Sequence, residues 1–342
     1  MRRLRVLLLP FSWIYGIVVT FRNWLFTVGI KKTIEIPNKS ICVGNLSMGG
    51  TGKTPQVDLI VAHFLKQNIN TSTLSRGYGR STKGLKEVYT SDTAEQVGDE
   101  PLFYKSKYGD NLKVVVAEKR TKGVSYISKK YPENQLIILD DAFQHRAVKA
   151  GLNILITDYN NRFTKDRILP SGNLREGKSG AKRADIIIVS KSPDLSQVEQ
   201  EKIKSEFCFD PAKIFFSSII YDQLKPFNQY KKGAIENILL VTGIGNPTPL
   251  VQHLENNYSV THLKFKDHHL FTADDIKNIH EKFDTFVCDK KIIVTTEKDY
   301  MRLRNLKSVI DANYDWYYQP IKTEINERQK FNLLIDNYVN EI

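Results

Sequence analysis

From residue 40 onward, short apolar runs rich in Val and Ile alternate with longer stretches of helical period. The first set falls at 40–44 (SICVG), 71–75, 113–117 (KVVVA), 136–140 (LIILD), 152–157 (LNILIT), 185–190 (DIIIVS) and 213–218. Strands that are apolar at consecutive positions are buried on both faces, and helix-length spacers supply the crossovers of a parallel sheet. The pattern predicts a doubly wound α/β domain.

At 221–233 (YDQLKPFNQYKKG) the alternation gives way to a polar, proline-containing connection, and new runs follow at 237–242 (NILLVT), 260–265, 291–296 (KIIVTT) and 315–319. A second, smaller α/β domain accounts for them. Residues 327–342 read as a helix with Phe331, Leu334, Ile335 and Tyr338 along one side. The 342 residues, 41% of them hydrophobic, suffice for two cores, which excludes peptide toxins, lone binding modules and disulfide miniproteins. Cys42, Cys208 and Cys288 form neither an even-numbered framework nor a C-x-x-C pair, so a reducing compartment without bridges or zinc ribbons is expected.

Charge changes the picture at one end. The formal net charge is +12, yet no acidic residue precedes Glu35, while Arg2, Arg3, Arg5, Arg22, Lys31 and Lys32 all do. Between them residues 6–21 (VLLLPFSWIYGIVVTF) carry no charge and are interrupted by Pro10 and Gly16. Sixteen residues fall short of the roughly 20 a spanning helix needs. Trp13, Tyr15 and Trp24 suit the headgroup layer, and the flanking cations suit anionic lipid, so an interfacial segment is expected. A buried helix and a secretory signal are the alternatives, the latter lacking a small-x-small cleavage site. The expected division is a membrane-associating segment 1–30, a nucleotide-binding and catalytic domain 31–220, a linker 221–235, a smaller domain 236–322 and a C-terminal helix 323–342.

Candidate chemistry begins directly after the first run. Residues 44–54 read GNLSMGGTGKT and open a helical pattern. Met48, Gly49, Gly50, Thr51, Gly52, Lys53, Thr54 and Pro55 are predicted to cradle a nucleotide, with backbone N–H groups converging on phosphate, Lys53 reaching the β- and γ-phosphates and Thr54 placing its hydroxyl on Mg²⁺. The leading glycine of the usual G-x-x-x-x-G-K-[ST] loop is here Ser47. Eighty-six residues beyond Thr54, the run LIILD ends in Asp140-Asp141, the form of a Walker B element that orders the metal. A guanine reader N-K-x-D is not matched by Thr296-Glu-Lys-Asp299, which favours ATP over GTP.

The blocks VGNLSMGGTGKTP (43–55), LSRGYGR (74–80), VGDEP (97–101), DDAFQHR (140–146), LPSGNLREG (169–177), VTGIGNP (241–247), FKDHHLF (265–271) and TTEKD (295–299) resemble, in order, those of the tetraacyldisaccharide 4′-kinase (lipid A 4′-kinase) family. The resemblance implies a P-loop NTPase-like fold of two α/β domains. It further implies transfer of the γ-phosphate of ATP, with Mg²⁺, to the 4′-hydroxyl of a lipid A disaccharide precursor at the cytoplasmic face of the inner membrane. It also implies that Asp99 is the catalytic base and that His268 partners it, although from the residues alone Asp99 reads as a loop carboxylate or helix cap. Glu176 would lie near the metal, Gln144 near the γ-phosphate, and Asn45, Arg76, Arg80, Arg120 and Arg175 would contact the acceptor. His269 is expected to be structural.

The alternative function is a membrane-associated P-loop ATPase that drives a partner protein, distinguished by partner-stimulated release of phosphate to water. A nucleic-acid partner is not expected, because much of the positive excess sits in the apolar N-terminal segment.

Overall fold

The computed structural model describes residues 4–227, 233–287, 290–311 and 313–341. Arg2, Arg3, Cys288 and part of the expected linker lie outside the described residues. Helix α1 (Leu9–Thr27) continues a short 3₁₀ turn at Leu4–Leu8. The strands of the first sheet are β1 (Lys39–Asn45), β2 (Thr71–Ser75), β3 (Leu112–Val116), β4 (Leu136–Asp140), β5 (Leu152–Asp158), β6 (Ile186–Ser190) and β7 (Ile214–Tyr221). Between β1 and β2 runs helix α2 (Lys53–Lys66), and before and after β3 run α3 (Asp99–Tyr108) and α4 (Arg120–Lys130).

The second sheet is built from β8 (Asn237–Thr242), β9 (Ser259–Lys264), β10 (Lys291–Thr296) and β11 (Trp316–Gln319), with helices α5 (Ala273–Asp284) and α6 (Glu297–Leu303) among them. Strand β12 (Ile321–Ile325) then leads to α7 (Arg328–Asn340). Across the first sheet the order is β12-β7-β6-β5-β1-β4-β2-β3, with a two-residue strand Lys86–Glu87 at the far edge. All pairs between β7 and β3 are parallel, while β12 and Lys86–Glu87 join antiparallel. The second sheet runs β11-β10-β8-β9 in parallel.

The apolar runs explain the layering. Ile41, Val43, Ile138, Ile154 and Ile188 pack with α2 and α7 on one face, and Leu74, Leu139, Leu155, Ile187 and Val189 pack with α4 on the other. Burying both faces removes the period-two alternation that one-sided strands show. The second sheet repeats the scheme with two smaller cores around Leu239 and Leu240.

Two elements differ from the expected division. Residues Lys225–Pro226, expected as linker, pair with Tyr317 and Tyr318 as an edge strand of the second sheet. Strand β12, whose start was assigned to the smaller domain, returns to the first sheet beside β7, with Tyr221 opposite Ile321. The chain thus leaves the first domain on one strand and re-enters on its neighbour, and Asp222 N donates to Pro320 O at 3.1 Å where the two connections pass. The second domain is an insertion on a two-stranded stem. Residues 327–342 do form a helix, which packs Phe331 and Ile335 into the core of the first domain.

Candidate active site

The phosphate loop sits between β1 and α2. Gly52, at φ 79°, turns the chain into the helix in a left-handed conformation that glycine adopts without steric cost, and no side chain caps the helix N-terminus. The first-turn N–H groups therefore point into the cradle. The loop is braced from beneath: Asn45 Nδ2 donates to Thr51 Oγ1 at 2.8 Å, Ser190 Oγ to Thr51 O at 2.6 Å, and the Lys191 ammonium to Gly50 O. It is also braced from the side, because Met48 N donates to Asn173 O at 2.7 Å and Arg175 N to Leu46 O at 2.7 Å. Asn45, expected to contact the acceptor, is fully buried inside this support.

The acidic pair at the end of β4 divides its work. Asp141, at φ 50°, turns its carboxylate to Lys53 (3.6 Å) and Arg175 (3.2 Å), and those cations hold it below the ordinary aspartate range against the effect of burial. Asp140 is 1% exposed; Tyr104 donates to its Oδ2 at 3.1 Å, while its Oδ1 has no hydrogen-bond partner among the described residues. Burial, reinforced by the charges of Glu100 and Asp141, pushes the Asp140 carboxyl up to about 7. An orphaned buried carboxylate oxygen beside a second carboxylate is the arrangement a cation relieves. Thr54 Oγ1 donates to Glu100 Oε1 at 2.8 Å, and these two with Asp140 are the residues that would hold Mg²⁺. Among the described residues no three His, Cys, Asp or Glu side chains form a metal cage, so phosphate and water oxygens would complete the shell.

Glu176, expected near the metal, is buried: its carboxylate, 1% exposed, accepts from Asn23 Nδ2 (2.8 Å), Gln144 Nε2 (3.0 Å) and Arg183 Nη2 (2.8 Å). Gln144 also donates to Asn45 O at 2.7 Å, tying α1 to the floor of the phosphate loop. Arg120 and Arg80, expected to contact the acceptor, have buried side chains too. Arg120 is 2% exposed, its guanidinium donating to Ala117 O at 2.7 Å and lying 3.4 Å from Asp140 O, and burial brings it down to about 10. Arg80 is bound to Glu118 and Gly84 O with its side chain 3% exposed. Both hold the scaffold. Arg76 is exposed on the same loop, and Arg175 joins Asp141.

Asp99 opens α3. The preceding Gly98 has φ 94° and lies against Gly77, where a Cβ would meet Val97 O at 2.8 Å, so the 97–99 turn and the 76–80 loop interlock. The side chain of Asp99 is 5% exposed and faces three groups of the second domain: His268 Nδ1 at 3.3 Å, Lys298 Nζ at 3.7 Å and the Arg302 guanidinium. Burial alone would raise its pKa; the His268 hydrogen bond and the charges of Lys298 and Arg302 outweigh it and hold the carboxyl well below the usual range. His268 occupies a left-handed conformation at φ 59°, pinned by its N–H to Gly243 O (3.0 Å) and by edge contact with Tyr78. His269 faces away to Asp275 at 2.9 Å and stacks on Phe265.

The site is thus the meeting of two sheet edges. The phosphate loop and Asp140 lie at the carboxyl end of β1 and β4, while Gly243, His268 and Lys298 follow the carboxyl ends of β8, β9 and β10, the edge at which α/β sheets bind ligands. Lys298, Arg302, Glu100 and Tyr104 had no assigned role in the sequence. The block TTEKD held the first of them, but only the sheet topology brings it to Asp99.

A family model described as "Tetraacyldisaccharide-1-P 4'-kinase" matches residues 4–340. The chain belongs to the tetraacyldisaccharide 4′-kinase family. The tetraacyldisaccharide 4′-kinase of Flavobacterium johnsoniae is 40% identical over all of this chain and 99% of its own length, and that of Bacteroides thetaiotaomicron 39% identical over 98% and 93%. Among solved structures, LpxK from Aquifex aeolicus in complex with ATP superposes with a TM-score of 0.75 at 29% identity, covering 98% of this chain and 99% of that one.

Proposed function

We infer that this family member is a Mg²⁺- and ATP-dependent kinase that phosphorylates the 4′-hydroxyl of a tetraacyldisaccharide 1-phosphate in lipid A biosynthesis. One observation carries the reading: the carboxylate of Asp99 and the Glu100–Thr54 hydrogen bond of the phosphate loop sit on consecutive residues of the first turn of α3. A proton acceptor and a phosphate cradle held on one turn suit in-line attack by an alcohol.

In this mechanism the loop amides and Lys53 grip the triphosphate, and Thr54 with Asp140 and Glu100 would hold the metal, which supplies charge neutralisation at the β- and γ-oxygens. Asp99, ionised through its cationic neighbours, takes the proton of the acceptor hydroxyl. The oxygen–phosphorus bond to the sugar forms as the bond to ADP breaks, and His268 orients Asp99 for the proton transfer. Arg175 and exposed Arg76 are the cations best situated to meet substrate phosphate charge.

The enzyme is membrane-associated, and α1 supports an interfacial seat on the cytoplasmic leaflet. The helical segment Arg5–Thr27 is long and apolar enough to cross a bilayer, longer than the apolar run alone suggested. Its contacts favour lying flat. Arg5 donates to Pro170 O (3.0 Å), Ser12 Oγ accepts from Ser171 N (2.9 Å), Tyr15 donates to Arg175 O (3.0 Å), and Asn23 reaches Glu176, so one stripe is docked from end to end. The other faces expose Leu7, Phe11, Trp13, Ile17 and Phe21, Trp13 by 68%. A helix bound along its whole length to a polar domain cannot also traverse hydrocarbon.

The test is ATP turnover by the full chain with tetraacyldisaccharide 1-phosphate in mixed micelles. Label appearing on the lipid supports the kinase. Phosphate released to water at the same rate with or without the lipid overturns it in favour of an ATPase.

A further inference from the structure

The side chain of Arg302 is 4% exposed and its fork is divided between the domains. Nη1 donates to Asp299 Oδ1 at 2.8 Å, and Asp299 is itself pinned by Gly243 N (2.9 Å) and Thr296 Oγ1 (2.7 Å). Nη2 grips Asp99 Oδ2 and lies 3.1 Å from His268 Nδ1. Lys298 Nζ stands 3.4 Å from the other ring nitrogen, Nε2.

Guanidinium and ammonium groups offer only donors. A ring proton on Nδ1, the nitrogen 3.3 Å from Asp99 Oδ2, lets the imidazole donate to that carboxylate while Nε2 offers its lone pair to Lys298. Arg302 then bonds the carboxylate rather than the ring. The result is one consistent hydrogen-bond pattern in which Asp99 is held by Arg302, receives the imidazole proton and keeps Oδ1 on the Glu100 N–H at 2.9 Å.

We propose that Arg302 is a positioning residue for the reaction, whose divided fork fixes the Asp99–His268 pair and makes it competent only while the second domain is seated on α3. The proposal rests on the reading of Asp99 as the base. A simple ion pair between domains accounts less well for the geometry, since buried pairs add little net stability. A lysine at 302 would keep the charge but could not reach Asp299 and Asp99 at once in a planar fork.

Arg302→Lys, Arg302→Ala, Asp99→Asn and the Asp99→Asn/Arg302→Lys double variant test this in the full chain. The readouts are kcat on the lipid acceptor, affinity for a non-hydrolysable ATP analogue, and melting temperature. Arg302→Lys should lose about 10- to 100-fold in kcat, as a misplaced reacting group does, with analogue affinity within about twofold. Millimolar methylguanidinium should restore part of the activity of Arg302→Ala, and the double variant should be no slower than Asp99→Asn alone. Arg302→Lys with kcat within twofold of wild type, losses that multiply in the double variant, or a fall in kcat matched by equal falls in analogue affinity and melting temperature each overturn the proposal. A crippled Asp99→Asn beside a normal Arg302→Lys removes Arg302 alone. Near-normal turnover by Asp99→Asn removes the base reading, and the proposal with it.

Discussion

At the scale of single residues, burial decides which charged side chains are chemistry and which are scaffold. Arg80 and Glu176 stand in motif blocks and Arg120 does not, yet the side chains of all three are buried and bonded to groups inside the protein. Asp140 is the opposite case, buried with one oxygen unpaired among the described residues and its carboxyl raised to about 7. A raised acid holds its proton in the fold between its ordinary pKa near 4 and about 7, so its contribution to the stability of the ligand-free enzyme falls as pH rises through that window. By the same sign, Mg²⁺–nucleotide affinity should rise between pH 6 and 8 as the proton is displaced, and calorimetry in buffers of different ionisation enthalpy should show protons released on binding. Affinity and proton release that stay flat across that range would remove Asp140 from the metal. Lys53→Ala should weaken nucleotide binding and lower turnover by at least about 10²-fold, the scale of losing one preorganised charge contact. Retention of near-normal kcat in that variant would contradict the cradle assignment.

At the scale of elements, the N-terminal helix is wired to catalysis as well as coated for lipid. Arg5, Ser12, Tyr15 and Asn23 hold the 170–176 segment, which in turn pairs with the phosphate loop through Ser47 and Leu174. Deleting the helix would therefore disturb two properties at once. Replacing outward residues separates them: Trp13→Ser with Ile17→Ser and Phe21→Ser should abolish co-sedimentation with anionic vesicles while nucleotide-analogue affinity stays unchanged. Unaltered sedimentation would refute the interfacial seat. Asn23→Ala removes a hydrogen bond to a buried carboxylate and should cost about 1.5–3 kcal/mol in chemical denaturation. A loss below about 0.5 kcal/mol would show that the link to Glu176 does not bear on stability.

At the scale of the molecule, the second domain hangs on adjacent strands β7 and β12, so its two ends lie together and a small rotation about that stem moves His268, Lys298 and Arg302 as one body relative to Asp99. Its cores around Leu239 and Leu240 are largely its own. Residues 222–320 made alone should accordingly melt cooperatively with an α/β circular dichroism spectrum. A non-cooperative melt would show that this core needs Tyr300 and Met301 packed on the first domain.

The chain's own pattern determined the strands, the two sheets, the phosphate loop and the Walker B pair, because each is local: consecutive apolar positions, a glycine run, a strand ending in two aspartates. What belongs to the tertiary structure alone is the partnership of residues far apart in the chain. Asp99 lies 203 positions from Arg302, and Asn23 lies 153 from Glu176. Nothing in their spacing marks them as neighbours, since it is the strand order and the return of β12 that set their distance. The same holds for Arg80, Arg120, Asn45 and Glu176: residue type advertises a charge or an amide, but only packing shows that each side chain is buried and which groups inside the protein it faces.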